Sequence, residues 1–550
     1  MTNHPQKVLI VGGVAGGASA AARLRRLDEQ AHIVLFERGP YISFANCGLP
    51  YHISETIQDR GKLLVQTPEA MTQRFNLDIR IESEVVAIDP ERKMVTVNSR
   101  ERGQYEESYD QLLLSPGAKP IRPALPGMDH ERVFTLRSIP DMDRIKEQIQ
   151  AHRPQHATII GGGFIGVEMA ENLREIGLDV ALIEAGPHIL APFDADVSVW
   201  IEHELQQKGV HLLAEHRLTA IAEQADKLQL SFEHPNQPLE TDFVILAIGV
   251  QPDTAFLADS GIERTDRGHI IVDEQCRTNV ADIYAVGDAI QVADKVNGHA
   301  TAVPLAGPAN KQGRIAADQI AGLSTTYTGT QGTAIIKVFD LTAACTGMNE
   351  KALKQQNIPY QKVIVHPLSH AGYYPGASAM TLKILFDEQG KLLGGQAVGK
   401  DGVDKRIDVL ATAIHFKGSI NDLTELELSY APPYSSAKDP VNMAGYAAEN
   451  IRTGKTRVFA VEDLSTRDEQ SVLLDVRTKK EFEQGHIPGS VHIPVDELRD
   501  RINELPTETE IWVYCQVGIR GYTASRILEQ HGYETRNLTG GYKSYAAMNR

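Results

Sequence analysis

The chain has 550 residues, of which 42% are hydrophobic and 23% charged, and its formal net charge is −17. This length is too great for one hydrophobic core and predicts three or four soluble domains. The negative charge argues against a general binder of nucleic acid or of anionic membranes, because both require a positive field.

The four cysteines, at positions 47, 276, 345 and 515, form no C-x-x-C pair. This spacing argues against a disulfide framework and a zinc site, and no metal is expected. Such sparing use of cysteine suits a reducing compartment, so we expect a cytoplasmic protein. No apolar run approaches the roughly 20 residues of a membrane helix. The apolar stretch Val8 to Ala22 resembles a secretion signal, but its glycines fit the turn described next.

The first predicted unit is a strand, a glycine turn, a helix and a second strand. The run Val8 to Val11 precedes the loop Gly12-Gly13-Val14-Ala15-Gly16-Gly17, and the second strand ends at Glu37. A dinucleotide site needs a sharp turn, a bare backbone, a helix N-terminus and an acid after the second strand. Val14 departs from this pattern, whereas Glu37 satisfies it. A glycine-rich turn without a ligand is the alternative.

Cys47 follows this unit in the segment Tyr41 to Tyr51. At the start of a helix, the helix dipole lowers the pKa of a cysteine and favours the thiolate. The alternative is a buried structural cysteine. We expect Cys47 to be reactive, and Cys276 and Cys345 to be structural.

The same plan recurs from Thr158 to Glu184. Gly161, Gly163 and Gly166 supply the turn and the bare backbone, and Glu184 stands 18 positions after Gly166. An acid there hydrogen-bonds ribose hydroxyls and disfavours a 2′-phosphate. This second site is therefore expected to take NADH in preference to NADPH.

Three further apolar segments, Leu112 to Ala118, Phe243 to Gly249 and Ile283 to Asp288, end on small or acidic residues. We interpret the first nucleotide domain as interrupted by the second and resumed near residue 245. The glycine-loop pattern stops after about residue 330, and strands alternate with helices to about residue 450. The polar stretch from residue 451 to 463 predicts a linker.

The final unit contains Leu473 to Arg477, Gly485 to Ser490, and a strand that ends at Cys515. A cysteine between a strand and a short loop before a helix is surrounded by backbone N–H groups that stabilise a thiolate or persulfide. A cysteine phosphatase is the rival, but its loop has one more residue between Cys and Arg. Arg520 is the cation of this loop, so thiosulfate need not be the natural donor. We expect His486 and His492 to orient backbone rather than bind metal.

In their order and spacing, the two loops, Ser115-Pro116-Gly117 and Ala285 to Asp288 resemble the pyridine-nucleotide disulfide reductase superfamily over residues 1 to about 450. The resemblance implies FAD at the first loop, the nicotinamide nucleotide at the second, and a dimer interface in the C-terminal third. The FAD residues it implies are Gly12, Val14, Ala15, Gly16, Glu37, Arg38, Ser115, Pro116, Gly117, Asp288 and Ala289. The NAD residues are Gly161, Gly163, Phe164, Ile165, Gly166, Glu184 and Gly249.

Two-cysteine members of the superfamily use a C-x4-C pair, in which one thiol attacks the substrate and the other meets the flavin. This segment has only Cys47. The partner of Cys47 is therefore the sulfur of a thiol cofactor, a persulfide sulfur, or the oxygen of a sulfenic acid. Ser43 to Cys47 with Leu49-Pro50-Tyr51 resembles the coenzyme A disulfide reductase group. The late segments Ala371 to Gly376 and Tyr430 to Ser435 also match this group, and Phe75 replaces a base found in some relatives. The resemblance implies catalytic tyrosines from the partner subunit, namely Tyr373 or its neighbour Tyr374, and Tyr430. It implies coenzyme A at Ser19, Arg23, Arg26, Ser43, Asn46 and Lys438.

The final unit resembles a single rhodanese domain. The resemblance implies a catalytic Cys515 and a loop of Gln516, Val517, Gly518, Ile519 and Arg520.

Together these features predict an α/β fold with two Rossmann-like nucleotide-binding domains, an α+β dimerisation domain and a C-terminal α/β rhodanese domain. The predicted limits are 1–118 with 245–328 for FAD, 119–244 for NAD(H), 329–450 for dimerisation, 451–463 for the linker and 464–550 for rhodanese.

The expected protein is a homodimeric flavoprotein, with active sites shared between subunits, that reduces coenzyme A persulfide, polysulfide or coenzyme A disulfide with NADH. Two alternatives remain: an NADH oxidase or peroxidase that cycles Cys47 through sulfenic acid, and a sulfurtransferase with a regulatory flavin module.

Overall fold

The computed structural model describes residues 5–233 and 238–549. They form two compact units. The first contains residues up to 187 together with 209–330, and the second contains residues 188–208 together with the chain from residue 331 onward.

The first unit contains a five-stranded parallel sheet at the N-terminal glycine loop. Its central strand has almost no exposed side chain from Val8 to Ile10, which explains the unbroken apolar run of a doubly wound sheet. The last strand, Ile283–Ala285, pairs with Gln111–Leu114, so two distant segments build one sheet. In sheet order the strands are Ile283–Ala285, Gln111–Leu114, Lys7–Val11, His32–Phe36 and Asp78–Arg80.

A second five-stranded parallel sheet surrounds the other glycine loop. Its strand Phe243–Leu246 pairs with His156–Ile160 and Val133–Thr135, so the limit predicted at residue 244 falls inside this strand. An apolar run looks the same in either sheet, and only pairing assigns it. In sheet order the strands are Val210–Leu213, Asp179–Ile183, His156–Ile160, Phe243–Leu246 and Val133–Thr135.

Helices and small sheets complete the first unit. The α-helices are Ala15–Leu27, Leu49–Ile53, Pro68–Phe75, Ile139–His152, Phe164–Glu175 and Ala306–Ile320, with 3-10 turns at Asn46–Gly48, Arg60–Leu63, Ala255–Leu257 and Gly287–Ala289. The remaining strands form small sheets. In chain order they are Ser83–Asp89, Met94–Ser99, Gly103–Ser108, Ala118–Pro120, Leu218–Gln224, Lys227–Phe232, Leu239–Thr241, Val250–Pro252, Ile270–Ile271, Ile290–Ala293 and Ala300–Thr301.

The second unit combines an antiparallel sheet with a parallel one. The antiparallel sheet has the order Ala334–Val338, Leu341–Gly347, Leu392–Gly399, Met380–Phe386 and Gln361–Val365. The parallel sheet has the order Val458–Phe459, Thr535–Leu538, Ile511–Tyr514, Val472–Asp475 and Val491–His492. The α-helices are Ala195–Gln207, Glu350–Gln355, Val403–His415, Ile420–Glu425, Pro440–Arg452, Lys479–Glu483, Leu498–Arg501, Ile519–Gln530 and Gly541–Met548, with 3-10 turns at Val461–Thr466 and Ile502–Glu504.

The α/β class, with its two Rossmann-like sheets and its two C-terminal sheets, confirms the predicted fold. Val458–Phe459 lies inside the predicted linker and forms the edge strand of the last sheet. The exact domain limits stay predictions.

The two sheets of the second unit meet at the strand Gln361–Val365. The backbone N–H of Ile364 donates to Thr539 at 2.8 Å, and its carbonyl accepts from Gly540 N–H at 3.1 Å. His366 contacts Ser544 at 3.0 Å. Burial lowers the pKa of His366 to about 3, so its imidazole stays neutral at this junction.

A buried charge cluster also stabilises the second unit. The ammonium of Lys383 has no exposed surface and contacts Asp194 at 3.0 Å, Asp196 at 2.7 Å and Glu350. These three carboxylates are close enough together to hold a cation, and the lysine ammonium supplies it. Burial lowers the pKa of Lys383, but the three carboxylates together outweigh burial and raise the pKa, so the lysine stays charged.

No helix in the described residues is both long and apolar enough to cross a membrane.

The Lys383 cluster predicts a large stability effect. Lys383→Met removes the ammonium that contacts all three buried carboxylates, although Lys362 still contacts Glu350 at 3.0 Å and Asp196 at 3.9 Å. It is expected to lower the free energy of unfolding of the second unit by about 3 kcal/mol. Both tryptophans, Trp200 and Trp512, lie in this unit. Urea unfolding followed by tryptophan fluorescence therefore measures the effect.

Lys354→Met is the matched control, because Lys354 is exposed and pairs with the same Glu350 at 3.6 Å. Its expected cost is below about 1 kcal/mol. Equal costs for the two variants would show that the buried cluster has no special role.

Candidate active site

The two glycine loops have the same local geometry. The N–H of Gly12 donates to Phe36 at 2.8 Å, and the N–H of Gly161 donates to Ile183 at 2.7 Å. A Cβ on Gly17 would overlap the carbonyl of Gly12, and a Cβ on Gly166 would overlap that of Gly161. Each loop therefore closes onto the first turn of its helix only with glycine at these positions.

The acid after the second strand closes each loop from the other side. Glu37 accepts hydrogen bonds from Gly13 N–H and Gly39 N–H, both at 2.9 Å. Glu184 accepts from Gly162 N–H at 2.8 Å and Gly186 N–H at 2.7 Å. The backbone thus holds both carboxylates beside the helix N-termini, where a ribose would lie.

Val14 replaces the middle glycine of the first loop at a negative φ. Its φ of −97° is open to any L-residue, and its ψ is −136°. Gly163, the matching residue of the second loop, has a φ of −77°. The first loop therefore keeps its geometry despite the imperfect motif.

A cleft of about 690 Å³ runs from the first loop across the ends of the sheet strands. Arg38 pairs with Asp253, and Lys119 contacts the same carboxylate at 3.1 Å. The predicted residues that line this cleft are Gly12, Val14, Glu37, Arg38, Asn46, Ser115, Pro116 and Gly117. Of the other predicted residues, Ala15 and Gly16 lie in the first turn of helix Ala15–Leu27, and Asp288 and Ala289 lie in the 3-10 turn Gly287–Ala289.

The second loop presents Phe164 and Ile165 at the start of helix Phe164–Glu175, and Ile165 is exposed. Gly249, with a φ of +117°, adopts a conformation that favours glycine just after strand Phe243–Leu246. These residues lie at the carboxyl ends of the strands, the usual ligand edge of such a sheet.

Cys47 is the exposed cysteine, and Cys276, Cys345 and Cys515 are buried. It lies in the 3-10 turn Asn46–Gly48, immediately before helix Leu49–Ile53. This short helix packs against helix Phe164–Glu175 of the second nucleotide domain. Cys47 therefore lies where the two nucleotide domains meet within the first unit.

The expectation of a lowered Cys47 pKa is wrong for this structure. Although the residue has exposed surface, neighbouring protein partly desolvates the sulfur, and this desolvation raises the pKa of the thiol. The nearby Glu168 raises the pKa further, whereas Arg137 lowers it. The helix after Cys47 has only five residues and cannot offset both effects. Burial also raises the pKa of Glu168, to about 7.

Arg137 is a site residue that sequence analysis missed. Its guanidinium donates to Ala118 at 3.0 Å and contacts Asp288 at 3.4 Å. The Asn46 amide, oriented to satisfy both neighbours, accepts from Arg137 at 2.7 Å and donates to Phe44 at 3.2 Å. One cation thus connects the cleft to the residue before Cys47, and no motif signals it because its partners are distant in sequence.

The predicted coenzyme A residues of the first unit lie largely on one helix face. Ser19 contacts Asn310 at 2.6 Å, and Arg23 pairs with Asp318 at 2.7 Å. Arg26 is exposed and lies 5.9 Å from the ring of Phe75. Ser43 has a φ of +43°, which is uncommon for serine and typical of functional loops.

The three predicted tyrosines lie on exposed loops of the second unit. The hydroxyls of Tyr373 and Tyr430 are 2.9 Å apart, which raises the pKa of Tyr373. Tyr374 instead packs its ring edge against His370. The contact geometry therefore pairs Tyr430 with Tyr373 rather than with Tyr374. Lys438 is exposed in the same region.

A buried arginine holds these loops together. Arg406 donates to the carbonyl of Ser369 at 2.9 Å, to Ser435 at 3.2 Å and to Asp439 at 3.0 Å. The N–H of Ala371 also donates to the carbonyl of Ser435 at 3.0 Å. The loop that carries Tyr373 and the loop that carries Tyr430 are thereby held together by Arg406.

Cys515 ends strand Ile511–Tyr514 and is buried. The N–H of Gly518 donates to its sulfur at 3.1 Å, and Gly518 has a φ of +102°. Arg477 donates to Gln516 at 3.3 Å and is paired with the buried Asp475. His486 and His492 stack on Phe482 and contact backbone carbonyls. The N–H of Gly518 thus points at the Cys515 sulfur, where an N–H group would stabilise negative charge.

Three family models match successive parts of the chain. Residues 6–313 match the pyridine nucleotide-disulphide oxidoreductase model, residues 333–440 match the dimerisation domain of that family, and residues 460–548 match the rhodanese-like domain.

Known proteins cover most or all of the chain. It is 39% identical to a coenzyme A disulfide reductase of Staphylococcus aureus over 446 residues, which is 80% of this chain and all of that protein. The reduced Bacillus anthracis protein CoADR-RHD is 50% identical, with a TM-score of 0.96 over 99% of this chain and 98% of that one. A NAD-dependent persulfide reductase from A. fulgidus is 35% identical, with a TM-score of 0.92 over 98% and 100%.

The position of Glu168 predicts the titration of Cys47. Glu168 carries its charge above about pH 7 and opposes thiolate formation, so Glu168→Gln is expected to lower the pKa of Cys47. Alkylation rates against pH measure this shift in a Cys515→Ser background.

Glu175→Gln is the control, because Glu175 is exposed at the end of the same helix and is not among the groups that shift the Cys47 pKa most. An alkylation midpoint that stays in place or rises in Glu168→Gln would refute the assignment.

Proposed function

Because the chain belongs to the pyridine nucleotide-disulphide oxidoreductase family, we propose that it reduces sulfur–sulfur bonds of coenzyme A species at Cys47 with electrons from NADH. Its class is that of an NADH-dependent flavoprotein disulfide and persulfide reductase. The observation that carries the proposal is one exposed cysteine at the junction of two nucleotide domains.

The first loop and its cleft fit FAD. Three features of the first loop suit a dinucleotide with a large ring system. The loop backbone lies so close to its helix that a Cβ on Gly17 would overlap it, Glu37 places a carboxylate beside the loop, and the adjoining cleft has a volume of about 690 Å³. Bound FAD would supply two-electron transfer between NADH and the sulfur centre. Residues Gly12 to Gly16, Glu37, Arg38, Ser115 to Gly117, Asp288 and Ala289 would hold it. The second loop, with Glu184, would hold NADH.

Cys47 performs the sulfur chemistry in this proposal. Its thiolate attacks the coenzyme A sulfur of a persulfide, a mixed disulfide forms and hydrosulfide leaves. With coenzyme A disulfide, the leaving group is coenzyme A thiolate. Two electrons from NADH return the mixed disulfide to two thiols, so one persulfide, one NADH and one proton yield a thiol, hydrogen sulfide and NAD⁺.

The neighbouring residues bind, orient and hold protons. Arg137 keeps Asn46 and therefore the Cys47 turn in place, and its charge favours the thiolate. Ser19, Arg23, Arg26, Ser43 and Lys438 are proposed to bind coenzyme A, with Asn310 added because it contacts Ser19. We propose that Tyr373 and Tyr430 protonate or orient a leaving thiolate, since their hydroxyls already form a hydrogen bond with each other.

The C-terminal domain is proposed to carry sulfane sulfur on Cys515. Its loop directs the N–H of Gly518 at the sulfur, which supports a persulfide anion there. Two sulfur-handling centres in one chain favour a reductase over an NADH oxidase, and the exposed Cys47 disfavours a merely regulatory flavin module.

The proposed assembly is a homodimer in the cytoplasm. A dimerisation domain matches residues 333–440, and the exposed Tyr373, Tyr430 and Tyr434 suit a surface that another subunit covers. We propose that these tyrosines complete the partner's active site. The four free cysteines suit a reducing compartment.

Replacing the reactive thiol tests the proposal. Cys47→Ser is expected to lower anaerobic NADH oxidation with coenzyme A persulfide or disulfide by at least about 1000-fold, because the covalent intermediate cannot form. The absorbance of bound flavin should persist. Hydrosulfide release and NADH absorbance are read with persulfide, disulfide, polysulfide and hydrogen peroxide in parallel.

Cys276→Ala, which changes a buried thiol, is the control and should retain turnover. Normal persulfide and disulfide reduction in Cys47→Ser would exclude the proposed mechanism. Faster peroxide than sulfur turnover in the unmodified enzyme would favour the peroxidase alternative.

Nucleotide selectivity depends on Glu184 in this proposal. Glu184→Gln removes the charge that repels a 2′-phosphate and weakens the ribose hydrogen bond, so the preference for NADH over NADPH should fall by about 10-fold or more. The ratio of kcat/KM for the two nucleotides measures it. An unchanged ratio would assign the selectivity elsewhere.

A further inference from the structure

Arg520 does not present a free positive charge to the Cys515 loop. Its two terminal nitrogens donate to the two carboxylate oxygens of Glu481 at 2.8 and 2.6 Å. This bidentate geometry is the strongest form of an arginine–carboxylate contact. Arg520 lowers the pKa of Glu481 to about 2, so the pair stays ionised at neutral pH.

Glu481 is itself fixed by its own helix. Its carboxylate accepts from the N–H of Thr478 at 2.9 Å and from the Thr478 hydroxyl at 2.7 Å, in a capping box at the start of helix Lys479–Glu483. The acid therefore holds the arginine from a rigid position rather than by a chance surface contact.

The second guanidinium at the loop is neutralised in the same way. Arg477 contacts Gln516 but pairs with the buried Asp475 at 2.6 Å. Lys543, whose backbone N–H donates to the carbonyl of Gln516, has its ammonium 5.5 Å from the ring centre of Trp200. Backbone N–H groups, represented by Gly518, remain to stabilise charge on the sulfur.

Two accessible residues of the loop, Val517 and Ile519, are apolar. Ile519 is 63% exposed, and Val517 is half-buried beside it. Exposed aliphatic side chains next to a reactive sulfur suit the aliphatic arm of an organic thiol, and they offer nothing to a small hydrated dianion.

We propose that the Glu481–Arg520 pair determines donor specificity at Cys515: it excludes the thiosulfate dianion and leaves organic persulfides as the donors. This inference rests on the proposed sulfur-carrying role of Cys515. In the favoured reaction, the Cys515 thiolate attacks the outer sulfur of R–S–SH, the donor S–S bond breaks, and R–S⁻ leaves while Cys515 becomes a persulfide. With thiosulfate, the same attack expels sulfite, which carries two negative charges.

Releasing Arg520 tests the proposal. Glu481→Gln retains a capping-box residue and the side-chain shape but removes the negative charge. In a Cys47→Ser background, the variant is expected to raise kcat/KM for thiosulfate by about 10-fold, because a cation becomes available to a dianion. Transfer from the persulfide of 2-mercaptoethanol should change less than about threefold, since this donor is at most a monoanion and a released cation attracts it less than a dianion. Thiocyanate formed from cyanide is measured, and the rate with Cys515→Ser is subtracted.

Two variants isolate the cause. The double variant Glu481→Gln/Arg520→Gln should lose the gain with thiosulfate, because the released cation is absent. Glu483→Gln lies on the same helix and frees the exposed Lys479, its partner at 3.8 Å, so it should show no gain. An unchanged thiosulfate rate in Glu481→Gln, or a gain that persists in the double variant, would overturn the inference.

The unmodified loop provides a measurement that does not depend on the folding of a variant. Thiosulfate transfer by the Cys47→Ser protein should be slow and should not fall steeply with NaCl, since Arg520 and Arg477 are both paired with carboxylates. Fast transfer that falls steeply with salt would refute donor exclusion. Failure of both donors to exceed the Cys515→Ser rate would instead refute the sulfur-carrying role of Cys515, on which the inference rests.

Discussion

The close approach of a glycine loop to its own helix is the constraint on which both nucleotide sites depend. The carbonyl of Gly12 occupies the place where a side chain on Gly17 would begin, and Gly161 and Gly166 repeat this relation. Only a bare backbone lets the strand turn directly into the helix and leave N–H groups free at its start. Once the loop is closed, Glu37 and Glu184 are placed by hydrogen bonds to the loop itself.

The position of Cys47 follows from this arrangement. The turn that carries it begins after the first nucleotide unit, and the short helix behind it packs on the helix of the second loop. This packing brings Glu168 close to the thiol and desolvates both groups. The thiolate is therefore less favoured than a helix start alone would make it, and Arg137 is the cation that opposes this effect. Burial, Glu168 and Asp288 raise the pKa of the Cys47 thiol, and Arg137 and a backbone hydrogen bond lower it.

Paired charges organise the second unit in a comparable way. Lys383 neutralises three buried acids, Arg406 binds the two tyrosine loops together, and Glu481 neutralises Arg520 beside Cys515. In each case the paired residues come from different segments of the chain. A charged residue in a sequence motif can therefore be neutralised by a distant partner before it meets a ligand. In the rhodanese loop, for example, the guanidinium of Arg520 is already paired with the carboxylate of Glu481.

The sequence by itself determined the fold class, both nucleotide loops, the interrupted first domain, the lone Cys47 and the final sulfur domain. These features depend on local periodicity, glycine spacing and single residue types, which a chain displays without folding. Tertiary structure alone decided that Phe243–Leu246 joins the second sheet and that Tyr430 pairs with Tyr373 rather than Tyr374. It also decided that Arg137 contacts Asn46, that Asn310 contacts Ser19, and that the Cys47 pKa rises. Strand pairing, desolvation and charge contacts are set by residues distant in the chain, and no local pattern records them.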